Sequence, residues 1–199
     1  MLPFDKLVIA TGNAGKLREI RQLLAPLAVE VLPQSDFAVP EAEEPYCTFI
    51  ENALAKARHA SLHTGLPALA DDSGICVDAL QGAPGVYSAR YAGEPRSDAR
   101  NNEKLLTAMT GHSNRHAHYY CVMVLVRHAE DPQPLIAEGL WQGEIMTAPR
   151  GDGGFGYDPV FLDAKTEKTG AELPLEIKNR ISHRGQALTR MLHMLERLQ

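Results

Sequence analysis

LVIATGNAGK, residues 7–16, decides the first part of the fold. Residues 7–10 are apolar and rich in β-branched types, a glycine-containing turn follows at once, and apolar residues recur at helical spacing from 16 to 24. The stretch therefore predicts a strand, a tight turn and a helix. Such a turn presents backbone N–H groups at the positive end of the helix dipole, which suits a phosphate group.

The same turn has a plainer interpretation. Gly12 and Gly15 also suit a structural tight turn, which many α/β proteins need. A Walker A loop is excluded, because it requires a longer spacing and a Ser or Thr after its lysine, whereas Leu17 follows Lys16 here. The residues thus predict either an anion site unlike a kinase P-loop or a structural turn.

Strands and helices alternate along the rest of the chain. Further strands are predicted at 29–32, 68–70, 75–80, 118–127, 136–146 and 160–162, and further helices at 48–63, 97–109, 174–180 and 183–198. In this interpretation residues 71–74 interrupt two short strands. The alternation predicts an α/β fold, and the long apolar strand favours a mixed sheet. We expect a single domain over residues 1–199, built of two lobes.

Composition excludes several classes of protein. The net charge of −5 argues against a nucleic-acid partner, which normally requires a basic face. Three scattered cysteines without a CxxC pair argue against a disulfide framework or a zinc site and favour a reducing cytoplasm. The longest apolar stretch, 119–126, has the length of a buried strand, so we expect no association with a membrane.

Two adjacent aspartates stand in residues 71–74, Asp-Asp-Ser-Gly. Carboxylates after an apolar strand can hold Mg²⁺ through oxygen, together with substrate phosphates. Because neighbouring strand residues point to opposite faces, we expect one of the two aspartates to face the site. These residue types also favour turns, so a plain turn is the alternative. An acidic loop with Glu41, Glu43 and Glu44 offers a second ligand or is merely solvated.

Residues 151–159, GDGGFGYDP, surround two aromatic residues with four glycines. A purine base can lie flat on the ring of Phe155, where base–aromatic stacking contributes about 1–3 kcal/mol. The alternative is a flexible loop whose aromatic ring caps the core.

Residues 178–184, KNRISHR, place two cations after a candidate helix cap. Ser182 is suited to cap the last helix. His183 and Arg184 then lie in the first turn, where positive charge is unfavourable. This misfit predicts that an electron-rich group binds in front of them.

Six segments, in this order, resemble the inosine triphosphate pyrophosphatase family, whose members are also described as XTP/dITP diphosphatases. They are TGNAGK (11–16), TFIENALAKA (48–57), ADDSG (70–74), GAPGVYSARYAG (82–93), GGFGYDP (153–159) and KNRISHR (178–184). They extend from the first predicted strand to the last helix. The resemblance implies an elongated α/β fold with a central mixed sheet flanked by helices, a deep cleft between two lobes, and a homodimer.

The resemblance also implies roles for individual residues. It implies a Mg²⁺ site formed by Asp72 and Glu43, with Glu44 as the alternative to Glu43, and catalysis by Asp72, Lys16 and Lys56. The substrate-binding residues that it implies are Thr11, Gly12, Asn13, Ala14, Gly15, Lys16, Ser73, Phe155, Gly156, Tyr157, Asp158, Lys178, His183 and Arg184.

One position departs from the family pattern. Two residues upstream of Thr48, where the family often has a glycine, this chain has Tyr46. If that position requires a positive φ, a tyrosine would be strained and the acidic loop would follow another path. The departure bears on the choice of the second metal ligand.

The expected reaction is hydrolysis of ITP, dITP, XTP or dXTP to the monophosphate and pyrophosphate, by attack of water on the α-phosphorus. Donors such as Arg184 or protonated His183, aimed at the C6 oxygen of the base, would disfavour adenine by roughly 10⁴–10⁵-fold. Two alternatives remain: a pyrophosphatase for other modified nucleotides, and a module that binds nucleotides without cleaving them.

Overall fold

The computed structural model describes residues 2–198, apart from the side chains of Ala14, Glu19 and Leu23. Within this range the strands are β1 (Lys6–Ile9), β2 (Glu30–Pro33), β3 (Ala68–Val77), β4 (His116–Val126), β5 (Leu135–Ile145) and β6 (Phe161–Asp163). The helices are α1 (Ala14–Leu24), α2 (Phe49–Thr64), α3 (Asp98–Ala108), α4 (Leu175–Ile181) and α5 (His183–Glu196). The predicted alternation of strands and helices is confirmed.

The strands form one mixed sheet in the order β2-β1-β3-β4-β5-β6. β1 pairs in parallel with β2, from Lys6 opposite Glu30, and also with β3, where Val8 lies opposite Ala68. β5 and β6 are antiparallel, with Gly143 opposite Asp163. The predicted α/β class and the mixed sheet are therefore confirmed.

The predicted interruption at residues 71–74 is wrong, because β3 runs unbroken from Ala68 to Val77. Both aspartates are buried within this strand. Turn propensity is a weak preference that partners in the tertiary structure override. Here each carboxylate has a cationic partner, since Lys16 contacts Asp71 and Lys56 contacts Asp72.

The described chain divides into two compact units. The first unit comprises residues 2–72, 121–138 and 187–198, and the second comprises 73–120 and 139–186. In the first, apolar side chains of β1, β3, β4, α1 and α5 form the core, including Leu7, Ile9, Leu69, Met123 and Leu188. In the second, the core contains Ile75, Leu105, Tyr119, Trp141 and Phe161.

Side-chain caps fix the ends of the helices that carry candidate site residues. Thr48 caps α2, since its Oγ1 accepts from Glu51 N–H, and Gly65 ends that helix in the left-handed conformation at φ +68°. Ser97 caps α3, and Ser182 Oγ accepts from Gly185 N–H in the first turn of α5, as predicted. No helix in the described range is long and apolar enough to cross a membrane.

Candidate active site

The glycine-containing turn after β1 is closed by Asn13. Its Oδ1 accepts hydrogen bonds from Gly15 N–H at 2.8 Å and Lys16 N–H at 3.1 Å. Asn13 is thus the N-cap of α1, and Thr11 Oγ1 in turn accepts from Asn13 N–H at 3.2 Å. Sequence reasoning assigned these N–H groups to a phosphate, whereas the folded turn directs two of them to Asn13. Gly12 and Asn13 are exposed at the surface of the turn.

Lys16 leaves this turn and reaches the first aspartate of β3. Its Nζ lies 2.7 Å from Asp71 Oδ2, and the Asp71 side chain is only 2% exposed. The lysine side chain is 21% exposed. A buried carboxylate therefore sets the position of a partly exposed cation.

The second aspartate of β3 lies in a separate polar cluster with residues of α2. Asp72 Oδ1 is 3.6 Å from Lys56 Nζ, and Asp72 Oδ2 accepts from Asn52 Nδ2 at 3.2 Å. Lys56 Nζ is also 2.7 Å from Glu44 Oε1. One ammonium group thus lies between two carboxylates, as expected where negative charge is concentrated.

Burial and charge shift the pKa values within this cluster. Burial raises the pKa of Asp72 above its ordinary value, the Glu44 and Asp71 carboxylates add to the rise, and Lys56 and Asn52 oppose it. Burial alone would lower the pKa of Lys56, but Asp72, Asp71 and Glu44 together raise it. Lys56 therefore remains a cation, while Asp72 is a stronger base than an exposed aspartate.

Two glutamates of the acidic loop, Glu43 and Glu44, differ in burial. Glu44 is partly buried against Lys56, whereas Glu43 is exposed. The loop is tied to α2 at Tyr46, whose N–H donates to Asn52 Oδ1 at 3.1 Å and whose carbonyl accepts from Asn52 Nδ2 at 3.2 Å. Tyr46 is not among the described non-glycine residues with positive φ, so the expected strain is absent.

The glycine-rich loop belongs to the second unit and presents Phe155. This residue is 55% exposed, and Lys178 Nζ and Arg184 Cζ lie over its ring, 4.4 and 6.0 Å from the centroid. Asp158 is buried, and its Oδ2 accepts from Phe155 N–H at 2.8 Å and from Lys178 Nζ. Four residues predicted to bind the base, Phe155, Asp158, Lys178 and Arg184, therefore lie together in this unit.

The remaining predicted residues of the second unit are mostly buried. His183 stacks on Tyr119, with ring centroids 4.6 Å apart and planes inclined by 7°. Arg184 Nη2 donates to Ser73 Oγ at 3.3 Å. The Tyr157 ring is only 3% exposed and its hydroxyl donates to the Ser88 carbonyl at 2.8 Å, so this tyrosine anchors the loop.

Sequence reasoning missed Asn52 and gave Asp71 no role. Asn52 is four residues before Lys56 in α2, and residues at that spacing share one helix face, so a signal for it was present. The pairing of Asp71 with Lys16 had no such signal, because 55 residues separate them in the chain.

Comparisons with known proteins give a consistent result. The model of the Ham1 family matches residues 7–194. A relative from Nitrosomonas europaea, named dITP/XTP pyrophosphatase, is 66% identical over 191 residues, covering 96% of this chain and 94% of the relative. A relative of the same name from Ralstonia nicotianae is 62% identical over 193 residues, covering 96% of each chain.

Solved structures agree with these sequence matches. A HAM1 protein from Coxiella burnetii has a TM-score of 0.95 and 48% identity, covering 99% of this chain and 100% of its own. The Ham1 protein of Staphylococcus aureus has a TM-score of 0.91 and 38% identity, covering 98% and 100%. With a family model spanning nearly the whole chain and relatives this similar at full length, the chain belongs to the Ham1 family.

Proposed function

We propose that this chain hydrolyses deaminated purine nucleoside triphosphates, ITP, dITP, XTP and dXTP, to the monophosphate and pyrophosphate. The observation that carries the proposal is the cluster of Asp72, Glu44 and Lys56, in which two carboxylates share one ammonium group at 3.6 and 2.7 Å. Such a set suits a reaction on phosphate, where charge neutralisation and positioning supply most of the acceleration. The names of the relatives support the same chemistry.

The carboxylate cluster fits a Mg²⁺ ion. Asp72 and Glu44 supply hard oxygen ligands, and the raised pKa of Asp72 reflects burial and surrounding negative charge that a cation would relieve. Glu44 is favoured over the first choice, Glu43, because it already lies against Lys56. Mg²⁺ usually takes one or two carboxylates and completes its shell with phosphates and water, and no group of three candidate ligands occurs among the described residues. When bound, Mg²⁺ would neutralise phosphate charge and acidify a nearby water.

The chain's own residues bind and orient the triphosphate. We assign it to the turn of residues 11–16, where the cationic side chain of Lys16 is partly exposed, and to Lys56. Asp72 accepts the proton of the water that attacks the α-phosphorus, a role that its raised pKa favours. Asn52 holds Asp72 in place through the 3.2 Å hydrogen bond to Oδ2.

The base is assigned to the second unit. Phe155 is more than half exposed and is assigned to stacking, and Lys178 and Arg184 carry positive charge over its ring. These donors suit the C6 oxygen of inosine and xanthosine and disfavour the amino group of adenine. Ser73 holds Arg184 in place, since Arg184 Nη2 donates to Ser73 Oγ at 3.3 Å. His183 precedes Arg184 in the chain and stacks on Tyr119.

In this proposal Asp158 does not contact the purine base. Its carboxylate already accepts from Phe155 N–H and from Lys178, both in the chain itself. A buried carboxylate that is engaged in this way holds Lys178 and the loop in position. We therefore assign Asp158 to anchoring rather than to contact with the purine edge.

We further propose that the protein is a homodimer in the cytoplasm. We propose that it binds the nucleotide substrate and has no stable nucleic-acid partner. The net charge of −5 supports the absence of a nucleic-acid partner and the three free cysteines support a reducing compartment, while the homodimer rests on the family resemblance. Light scattering during gel filtration tests the oligomeric state. A monomer of 21.8 kDa at micromolar concentration would contradict the dimer.

The decisive experiment supplies ITP, XTP, GTP and ATP, with and without Mg²⁺, and follows pyrophosphate and orthophosphate separately. We expect Mg²⁺-dependent pyrophosphate from ITP and XTP, with much slower release from ATP and GTP. Equal rates on all four would contradict the base selectivity. Binding without any release would instead indicate a nucleotide-binding module, and a preference for other bases would indicate the pyrophosphatase of modified nucleotides.

A further inference from the structure

The loop that carries Phe155 is held by the first two turns of α3. Gly156 N–H donates to Asp98 Oδ2 at 2.7 Å, and the Gly156 carbonyl accepts from Asn102 Nδ2 at 2.9 Å. Asp98 and Asn102 are four residues apart, so both point from one face of the helix. The backbone N–H and C=O of Gly156, which belong to the peptide units on either side of its Cα, are therefore both fixed by one helix.

The backbone conformation at Gly156 needs these hydrogen bonds to hold it in place. Its φ is +61°, in the left-handed region, and nothing lies within 4 Å of the place where a Cβ would be. A glycine with open space around it has many accessible conformations, and packing does not restrict them. The two hydrogen bonds from α3 select one conformation and thereby the direction in which the exposed ring of Phe155 projects.

The same two helix turns also hold the neighbouring 3₁₀ segment, Gly85–Arg90. The buried side chain of Asn101 accepts from Ala92 N–H at 2.7 Å and donates to the Ala89 carbonyl at 3.2 Å. Tyr157 joins this segment through Ser88. The first two turns of α3 are thus a common support for two segments that meet at Tyr157.

Asn102 has a feature that stability alone does not explain. Its Oδ1 is buried without a hydrogen-bond partner among the described residues, while its Nδ2 contacts Gly156. A buried unpaired acceptor opposes folding, so an apolar residue there would avoid the penalty. What the Asn102 amide contributes is its hydrogen bond to the Gly156 carbonyl in the loop.

We propose that Asp98 and Asn102 are positioning residues for base recognition, acting through Gly156 on the orientation of Phe155. The inference rests on the proposed function, because it assumes that Phe155 stacks on the purine. The acceptor of the bond from Gly156 N–H is a carboxylate oxygen of Asp98, at 2.7 Å and exposed to solvent. Loss of either bond weakens binding of the base and leaves the groups that act on the phosphates unchanged.

The test compares Asp98→Ala and Asn102→Ala with Glu103→Ala, which removes an exposed carboxylate from the same helix. We expect each of the first two to raise KM for ITP about 5- to 20-fold with kcat within about twofold, and to lower the ratio of kcat/KM for ITP over ATP. Glu103→Ala should match wild type. Asp98→Asn, which keeps an acceptor oxygen, should restore most of the affinity, and Asn102→Ala should not lower the melting temperature.

A double-variant cycle separates positioning from general damage. If Asp98 acts through Phe155, then Asp98→Ala changes KM less than twofold once Phe155→Ala is present. Unchanged KM and selectivity in both single variants, in an enzyme that cleaves ITP, would overturn the inference and leave the proposed function intact. A fall in kcat equal to the change in kcat/KM would also overturn it. Failure of the wild type to release pyrophosphate from ITP would instead reject the proposed function.

Discussion

Lys16 Nζ lies 2.7 Å from Asp71 Oδ2, although 55 residues separate the two in the chain. The contact joins the first turn of α1 to the middle of β3. Asp71 is buried and the Lys16 side chain is partly exposed, so a buried carboxylate sets the position of the lysine ammonium group. The contact fixes the position of a lysine that follows a short glycine-containing turn.

Breaking this pair on one side only should destabilise the protein. We expect Lys16→Ala to lower the free energy of unfolding by roughly 2 kcal/mol, because it leaves the Asp71 carboxylate buried without this partner. The double variant Lys16→Ala/Asp71→Asn should recover part of the loss. Urea unfolding at neutral pH measures both. Strictly additive losses would show that the two side chains are not coupled.

Replacing the second aspartate should abolish turnover without unfolding the chain. Asp72→Asn removes the proposed base and metal ligand, so we expect kcat to fall by about 10²–10⁴-fold. The melting temperature should stay close to that of wild type, because burial already disfavours the charged form of Asp72. Asp78→Asn, a change at an exposed carboxylate just beyond β3, is the matched control and should retain activity.

The two glutamates of the acidic loop should differ in their effect on metal dependence. We expect Glu44→Gln to raise the Mg²⁺ concentration for half-maximal activity by roughly tenfold or more, because it removes a ligand oxygen. Glu43→Gln should change it less than twofold, since Glu43 is exposed. Titrating Mg²⁺ at fixed ITP measures the difference. A larger effect of Glu43→Gln than of Glu44→Gln would instead indicate Glu43 as the second metal ligand.

The Arg127–Asp131 pair should make stability depend on pH in the acid range. Hydrogen bonds from Arg127 hold the pKa of Asp131 well below its ordinary value near 3.8, and burial only partly opposes them. A depressed carboxylate stabilises the fold above its unfolded pKa, and this contribution is lost as pH falls towards the folded value. We expect Asp131→Asn to lower the melting temperature by about 2–4 °C at pH 7.

That deficit should shrink as the pH falls below about 3.8, since wild-type Asp131 is then increasingly neutral in the unfolded chain. Differential scanning fluorimetry at pH 7, 4.5 and 3 follows it. Glu130→Gln, at an exposed neighbouring carboxylate, should show no such dependence. A deficit that is constant across this range would contradict the assigned role of the pair.

Local patterns predicted the elements correctly where neighbouring residues determine them. The cap at Ser182 was readable because its hydroxyl bonds a backbone N–H only three residues away, a spacing that the caps at Thr48 and Ser97 share. The prediction failed at residues 71–74, where Asp, Ser and Gly favour turns. Partners from distant segments, Lys16 and Lys56 among them, keep these residues in a strand.

By itself, the sequence determined the alternation of strands and helices, the α/β class and the family, because periodicity, caps and motif order are all local or linear features. The tertiary structure decided which charges meet: Asp71 with Lys16, Asp72 with Lys56 and Asn52, and the Gly156 peptide with Asp98 and Asn102. Contacts between residues far apart in the chain depend on how strands and helices pack, and packing is set by the burial of apolar surface from many segments at once. No single stretch of residues encodes that sum.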